Sequence, residues 1–544
     1  MRVMSVAEHS EGTAHQKLPG ASRGPVRLLK LLRGVESDGA AQKKLPGAGR
    51  GPIRLLKLLR GAETEGALAH GDLEIAEVAY DSRKVKPGTL FVAIHGEKTD
   101  GNEFIAEAIA RGAVAIVSEQ ARRESIPAEV PWIKVPFARR ALALIAANYF
   151  GRPAEVLKLV GVTGTNGKTT TSFLVDSILR AAGCEVGLLG TISYRLVREA
   201  RPAIHTTPES LDLQNFLADV VRAGGTHAVL EASSHALAQD RLWGCPFAVA
   251  IFTNLTRDHL DYHKTLDDYF AAKRRLFEGT GAAAPGTGVV NRDDAYGKQL
   301  AGLAARTLTY GLEPGADITT RKPALSFSGL EFTAETPIGK IEVRSPLVGR
   351  INVYNILAAI GAGVALGLPM DVISTGIAQL ASVPGRFERI NADQPFLVIV
   401  DYAHTDDALR NLLSTAKELN PDGRIITLFG CGGDRDRAKR PLMGEAAGRL
   451  SDIVVLTSDN PRSEDPLLII NDAIVGLQRT NTKFLVEPDR ERAIEIALDQ
   501  ARPGDIVLLA GKGHETTQVL RDRTIDFDDR QMARQMLRHR GFGD

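Results

Sequence analysis

The apolar positions of this chain fall into short continuous runs separated by amphipathic stretches. That is the pattern of buried parallel strands alternating with helices. Residues 73–75, 89–94 and 113–117 predict short strands, and residues 104–111 predict a helix between the last two. A helix over 138–149 ends at the break Gly151-Arg152-Pro153. A strand over 156–162, a glycine-rich turn and a helix over 169–182 follow, the opening of a parallel α/β unit. Strands over 228–231 and 248–252 continue it. A second break falls at Val383-Pro384-Gly385-Arg386-Phe387. After it, strands over 396–400, 424–429, 453–457 and 506–510 alternate with helical stretches, predicting a second doubly wound unit.

The chain has 544 residues, more than one hydrophobic core supports, so roughly three or four domains are expected. The fold class read from the pattern is α/β in three domains. They cover 44–137 (small α/β), 138–382 (a P-loop ATPase-type parallel sheet) and 383–544 (Rossmann-like, doubly wound), preceded by an extension over 1–43. Hydrophobic residues make up 44% and the net charge is +1, so nothing global attracts nucleic acid or a membrane surface. Cys184, Cys245 and Cys431 lie too far apart in sequence for a metal motif or a disulfide framework, which fits a reducing compartment. No apolar run approaches bilayer length and no secretory apolar segment opens the chain. A cytoplasmic, monomeric protein with no stable membrane insertion is expected.

The first sixty residues depart from this balance. They hold twelve Lys/Arg against four acids, and Lys17 through Gly34 returns nearly verbatim as Lys44 through Gly61. Two copies are too few for a solenoid. Tandem duplication is the plain reading, with a basic targeting segment or a membrane-surface helix as alternatives. Residues 1–43 are read as disordered or as a loose helix. Each copy carries Arg-Leu-Leu-Lys-Leu-Leu-Arg, at 27–33 and 54–60, whose leucines give a short helix an apolar stripe. The second copy is assigned to the fold.

Chemistry enters at Gly161-Val162-Thr163-Gly164-Thr165-Asn166-Gly167-Lys168-Thr169-Thr170, between a predicted strand and a predicted helix. Backbone N–H groups in such a loop turn inward and the helix N-terminus adds positive potential, so polyphosphate binds there. Lys168 would reach the β- and γ-phosphates, and the Thr169 hydroxyl would ligate Mg²⁺. Val162 stands where the strict pattern requires glycine. The loop separates neither kinase, GTPase, motor nor ligase. Two further runs follow predicted strands: Glu231-Ala232-Ser233-Ser234-His235, and Asn254 through His263 with His259 inside it. Strand ends face the ligand crevice in doubly wound folds, so Glu231 and His259 are expected to face the phosphates. Glu231 suits Mg²⁺, and His259 is a less usual ligand. His235 and His263 are read as satisfied polar residues.

In this order and roughly this spacing, Thr163 through Thr170, Glu231 through His235, Asn254 through His263 and Ala271-Ala272-Lys273 resemble the Mur ligase family. Folylpolyglutamate synthetases resemble them less closely. The resemblance implies ATP as co-substrate, bound by Gly164, Thr165, Asn166, Gly167, Lys168, Thr169 and Thr170. It implies Mg²⁺ on Thr169, Glu231 and His259. It also implies that Lys273 is carbamylated to N6-carboxylysine and becomes the fourth metal ligand. A carbamate replaces a cation by an anion with two oxygens, whereas a bare ammonium beside Mg²⁺ would be repelled.

Further matches extend the resemblance over about residues 66–544. Tyr80-Asp81-Ser82-Arg83 and the turn Glu97-Lys98-Thr99 resemble the UDP-binding part of family members that add meso-diaminopimelate. His205, Thr206, Thr207, Ser233, Gln239 and Arg241 match positions that hold the UDP-muramoyl-dipeptide. Asn355 matches an adenine contact, and Arg386 and Asp401 match positions that reach ATP from the last domain. Aspartate at 406 departs from the family's usual proline. Arg435, Asp459-Asn460-Pro461-Arg462, Gly511 and Glu515 match the meso-diaminopimelate site. The implied reaction is amide formation through an acyl phosphate, with Lys168, Glu231, His259, Lys273 and Arg386 as catalytic residues. An L-lysine-adding relative or a folylpolyglutamate synthetase-like ligase is the alternative, and a nucleotide-binding scaffold that no longer ligates is the rival from another class.

Overall fold

A computed structural model describes residues 51–65, 70–96 and 99–543. The extension 1–43, the first repeat copy, and the expected site residues Glu97 and Lys98 lie outside the described residues.

Three larger sheets organise the described chain. The first has four parallel strands in sequence order, Glu77–Ala79, Thr89–Val92, Ala113–Ser118 and Trp132–Lys134. One face is covered by Leu55, Leu58 and Leu59 together with Ala138, Leu142 and Ile145 of the helix Ala138–Tyr149. Ile105 and Ala108 of the helix Ile105–Ala110 cover the other. The described part of the second repeat copy, from residue 51, therefore forms a strand, Ile53–Arg54, paired with Glu74–Ile75, and one helical turn, Leu55–Leu58.

The second sheet has twelve strands. Its parallel part runs in space as Val186–Leu189, His227–Glu231, Lys158–Thr163, Phe247–Phe252, Thr287–Asn291, Thr307–Gly311 and Ile318–Thr319. These strands are buried almost throughout, as a parallel sheet covered on both faces requires. Helices Lys168–Ala181, Arg350–Ala365 and Met370–Gln379 pack on one face, and Ser210–Arg222 and Leu266–Glu278 on the other. The chain leaves Lys158–Thr163 first to one side and then to the other. The crevice at its carboxyl end is therefore a topological switch point, where doubly wound folds bind ligands.

The third sheet has six strands in the order Glu388–Ile390, Leu397–Asp401, Ile506–Ala510, Ile425–Phe429, Ile453–Leu456 and Lys483–Val486. All but the first are parallel. Its helices divide between the two faces, so it is doubly wound as expected. The carboxyl ends of Leu397–Asp401, Ile425–Phe429, Ile453–Leu456 and Ile506–Ala510 open into the same cavity as the switch point of the second sheet. The strands read from the sequence fall within a residue or two of their places. Several strands of the antiparallel ends of the second sheet carried no expectation, including Ser193–Leu196, Glu199–Pro202, Gly329–Thr336 and Gly339–Ser345.

Candidate active site

Glycine is structurally required at two points of the phosphate loop. Gly164 has φ +142° and Gly167 has φ +87°. A Cβ on Gly164 would overlap the Thr253 hydroxyl, and one on Gly167 would overlap Asn355 Oδ1. The neighbouring strand end clamps the loop: Thr165 N donates to Asn254 O at 2.8 Å, and Asn166 N donates to Asn254 Oδ1 at 3.0 Å. Lys168 Nζ folds back to the carbonyls of Gly164 and Thr165 at 3.0 and 2.8 Å.

Lys273 arrives at the same carbonyl from the helix Leu266–Glu278. Its Nζ donates to Gly164 O at 2.6 Å, lies 4.3 Å from the Tyr269 ring centre, and is buried to 1% exposure. Burial, reinforced by the Lys168 charge, pushes its ammonium well below the usual lysine range. Burial also lowers Lys168, against the pull of Glu231 and Asp258. The side chain at 273 thus sits in a dry place that disfavours its ammonium form.

Glu231, at the end of its strand, is buried behind the loop. Its Oε2 accepts from Thr169 Oγ1 at 3.1 Å and from Thr191 Oγ1 at 2.9 Å, and its Oε1 accepts from Thr191 N at 3.0 Å. His259 occupies the left-handed region at φ +55°, with Nε2 3.4 Å from Asp258 Oδ2. Burial drives His259 down to about 3, past the opposing Asp258 charge, so its imidazole is neutral and a lone pair is free to ligate. Among the described residues, no group of three or more His, Cys, Asp or Glu is placed to hold a metal.

The third sheet closes the cavity. Arg386 donates to Thr169 Oγ1 at 3.4 Å and lies over the Tyr402 ring at 4.5 Å. Asp401 accepts from Phe387 N at 2.7 Å and Ala403 N at 2.8 Å. Burial raises its carboxyl and the Arg386 charge opposes that shift. Asn355 Nδ2 donates to Asn352 Oδ1 at 2.8 Å on the adjoining helix. The cavity lined by these groups measures about 390 Å³.

At its far end Arg435, Asp459, Asn460, Arg462, Gly511 and Glu515 come together. Arg462 is left-handed at φ +52°, and its Nη1 donates to Gly433 O at 2.7 Å. Asn460 Nδ2 donates to Glu515 Oε2 at 2.8 Å. His259, Phe387 and Arg462 all line the cavity with positive φ, the strain that a fixed site stores. Pro461 contributes backbone next to Gly433 and does not line the cavity.

Residues 74–150 match the family described as "Mur ligase family, catalytic domain", residues 162–363 the Mur ligase middle domain, and residues 385–513 the Mur ligase glutamate ligase domain. The chain belongs to the Mur ligase family. A relative from Solibacter usitatus, named UDP-N-acetylmuramoyl-L-alanyl-D-glutamate--2,6-diaminopimelate ligase, is 58% identical over 471 residues, 86% of this chain and 94% of its own. A solved structure of an enzyme with that name superposes with a TM-score of 0.64 at 35% identity, covering 90% of this chain and 99% of the other. The MurF ligase from Thermotoga maritima in complex with ADP shares the fold, with a TM-score of 0.59 at 21% identity over 85% of this chain and 98% of its own.

In this Mur ligase the remaining expected residues are spread between the main cavity and the first sheet. Thr206 and Ser233 line that cavity. Thr207 Oγ1 donates to Glu231 O at 2.6 Å and meets Ser233 Oγ at 3.2 Å. Arg241 Nη1 donates to Thr207 O at 2.8 Å, and Arg241 Nη2 to Gln239 Oε1 at 2.6 Å. The backbone N–H of His205 bonds the Tyr194 hydroxyl at 3.1 Å. Tyr80 reaches across from the first sheet to Asp212 Oδ2 at 2.6 Å, which with burial raises its phenol far above the usual range. Ser82 Oγ donates to Glu107 Oε2 at 3.1 Å, and Thr99 O accepts from Gly96 N at 2.9 Å, both away from the main cavity. Asp258, Tyr269, Tyr402 and Lys439 line the cavity without having been singled out as site residues. Their signal was adjacency to motif residues: Asp258 precedes His259, and Tyr269 sits one helical turn before Lys273.

Proposed function

We propose that this chain adds meso-diaminopimelate to UDP-N-acetylmuramoyl-L-alanyl-D-glutamate, with ATP converted to ADP and phosphate, as a cytoplasmic monomer in peptidoglycan precursor synthesis. One observation carries the reading. A single cavity has a phosphate loop with Lys168 at one end and a paired-charge pocket of Arg435, Arg462, Asp459 and Glu515 at the other. Meso-diaminopimelate ends in an ammonium and a carboxylate on one carbon, which such a pocket matches charge for charge. The Solibacter usitatus relative carries the same reaction in its name.

The D-glutamate carboxylate attacks the γ-phosphorus of ATP, the bond to the ADP oxygen breaks, and an acyl phosphate forms. The amine of meso-diaminopimelate then attacks the acyl carbon and loses a proton, and phosphate leaves. Lys168 and Arg386 offset the charge on the transferring phosphoryl group. The walls from the second and third sheets keep out water, which would hydrolyse the acyl phosphate. Thr207, Ser233, Gln239 and Arg241, with Tyr80, Ser82, Thr99 and His205 towards the first sheet, orient the UDP-muramoyl-dipeptide. Thr169, Glu231 and His259 would hold Mg²⁺, which supplies charge neutralisation when bound. Lys273 would complete that set as a carbamate. Two lysines converging on the Gly164 carbonyl repel each other when both are charged; addition of the Lys273 amine to carbon dioxide, with loss of a proton, would give an anion that Lys168 attracts instead.

The test is phosphate release from ATP with UDP-muramoyl-dipeptide, comparing meso-diaminopimelate, L-lysine and glutamate as acceptors. Release is expected only with dipeptide and meso-diaminopimelate together. Equal release with glutamate, or release without the dipeptide, would reject the reading.

A further inference from the structure

Lys512 is completely buried, at 0% exposure, directly behind the amino-acid end of the cavity. Its Nζ donates to Thr517 O at 2.7 Å, to Glu515 Oε2 at 3.1 Å and to Asn460 Oδ1 at 3.4 Å, and lies 3.8 Å from Asp459 Oδ1. Burying an ammonium is costly unless it is fully paired, so a methionine or leucine would fill this place more cheaply if packing were the whole requirement. The charge is kept where it meets two carboxylates that also face the cavity, with side-chain exposures of 11% at Asp459 and 28% at Glu515. On the cavity side stand Arg435 and Arg462, while Asp436 and Lys439 add one charge of each sign. Lys512 therefore makes the end of the cavity a place where cations outnumber anions by one.

We propose that Lys512 is a specificity-determining residue. Its buried charge cancels one of the two carboxylates, so the cavity end accepts an amino acid whose far end carries a carboxylate and disfavours one ending in a bare ammonium. The proposal rests on the ligase reading above and deepens it. Lys512 touches no substrate and acts through Asp459, Asn460 and Glu515, so it is a positioning residue as well as a charge. The same contacts also brace the site. The hairpin that Lys512 bonds also fixes the loop before it, through Gln518 Nε2 on Asp459 O at 2.6 Å and Val519 N on Asn460 Oδ1 at 2.9 Å. The two roles differ in what they move. Loss of a brace lowers the use of every amino acid alike, whereas loss of a charge changes the ratio between them.

The experiment takes the full chain with Lys512→Gln, and Lys512→Met as the second variant. It measures kcat/KM for meso-diaminopimelate and for L-lysine, and KM for ATP. A charge within about 4–6 Å changes the balance between charged forms by one to three decades. The preference for meso-diaminopimelate over L-lysine is therefore expected to shrink by about tenfold or more, with the ATP KM within about twofold of wild type. An unchanged ratio with lower overall activity makes Lys512 a brace and overturns the proposal. So does failure of both variants to bind ATP, which would make it a residue of the fold alone. A wild type with no preference overturns the ligase reading, and the proposal with it, before any variant is compared.

Discussion

At the scale of single residues, the chemistry concentrates where burial and charge conflict. Lys273 is the extreme case: a buried amine beside a second lysine, with a carbonyl and an aromatic ring for company. An anionic role predicts that Lys273→Ala abolishes ligation and that small carboxylates or bicarbonate partly restore the alanine variant by filling the space. Lys273→Arg should stay inactive, because a guanidinium cannot be carbamylated and keeps its charge. Near-normal turnover of the arginine variant in a steady-state assay would remove the carbamate from the mechanism. Arg462 carries a second expectation. Replacing it with Met should cost meso-diaminopimelate about 1.5–3 kcal/mol of binding, the range of a hydrogen bond to a charged group, and leave the ATP KM in place. Gly164 and Gly167 were legible in the sequence because backbone geometry constrains the composition of the phosphate loop, whereas Lys273, on a helix, and Arg462 were reached only through the family resemblance. Lys512, Tyr269 and Asp407 were not legible. Their importance comes from what they meet in space, and Asp407 meets Asn166 across 241 residues of chain.

At the scale of elements, the strand-turn-helix at Lys158–Ala181 was predicted within about two residues of its bounds, because an apolar run, three glycines and an amphipathic helix all agree. Edge strands were missed for the opposite reason. Glu199–Pro202 is exposed throughout and shows no buried face to read. The phosphate loop gives a sharp test. At φ +142°, with Thr253 filling the space a Cβ needs, Gly164→Ala should lose ATP binding, measured by ligand-induced change in melting temperature, and lower the unliganded melting temperature as well. The turn Leu55–Leu58 carries another. Leu55 and Leu58 are at 0% exposure and Leu59 at 4%, all in the core of the first sheet. Each such leucine is worth about 2–5 kcal/mol against alanine. Deletion through Arg60 is therefore expected to destabilise the first sheet, while deletion of residues 1–43 leaves turnover and melting temperature unchanged. Thermal melts and phosphate-release assays on the two truncations decide it, and loss of activity in the shorter deletion alone would give the first repeat copy a working role.

At the scale of the whole molecule, polar contacts join the second and third sheets around the cavity. Asn166 Nδ2 donates to Asp407 Oδ2 at 2.9 Å, Arg350 Nη2 to Glu418 Oε1 at 2.9 Å, and Arg386 reaches Thr169. Burial of ionisable groups, at this closure and elsewhere in the fold, sets the response to acid. Burial, with Lys158 adding to it, lowers His227 from 6.5 to about 4. Burial likewise lowers His404 to about 4, and His514 to about 3 with help from Arg386. A histidine that is neutral in the fold but protonates near its ordinary value when unfolded makes the unfolded state bind more protons in between. The sign follows. This contribution to stability is fully present above about pH 6.5 and is lost as the pH falls towards about 4. The carboxylates held low by arginine, such as Asp505 beside Arg424, add their own loss only below the ordinary value of 3.8. The urea midpoint of the ligand-free protein is therefore expected to drop as the pH falls from about 6.5 towards 4, before the carboxylates titrate. His227 tests the assignment away from the cavity: its Nδ1 is 2.8 Å from Thr226 Oγ1 on the strand His227–Glu231, and it does not line the cavity. His227→Gln should flatten part of the slope between pH 6.5 and about 4 while leaving turnover near neutral pH intact. A midpoint that stayed constant across that interval in the wild type would mean that these imidazoles protonate within the fold and that its interior is wetter than the geometry implies.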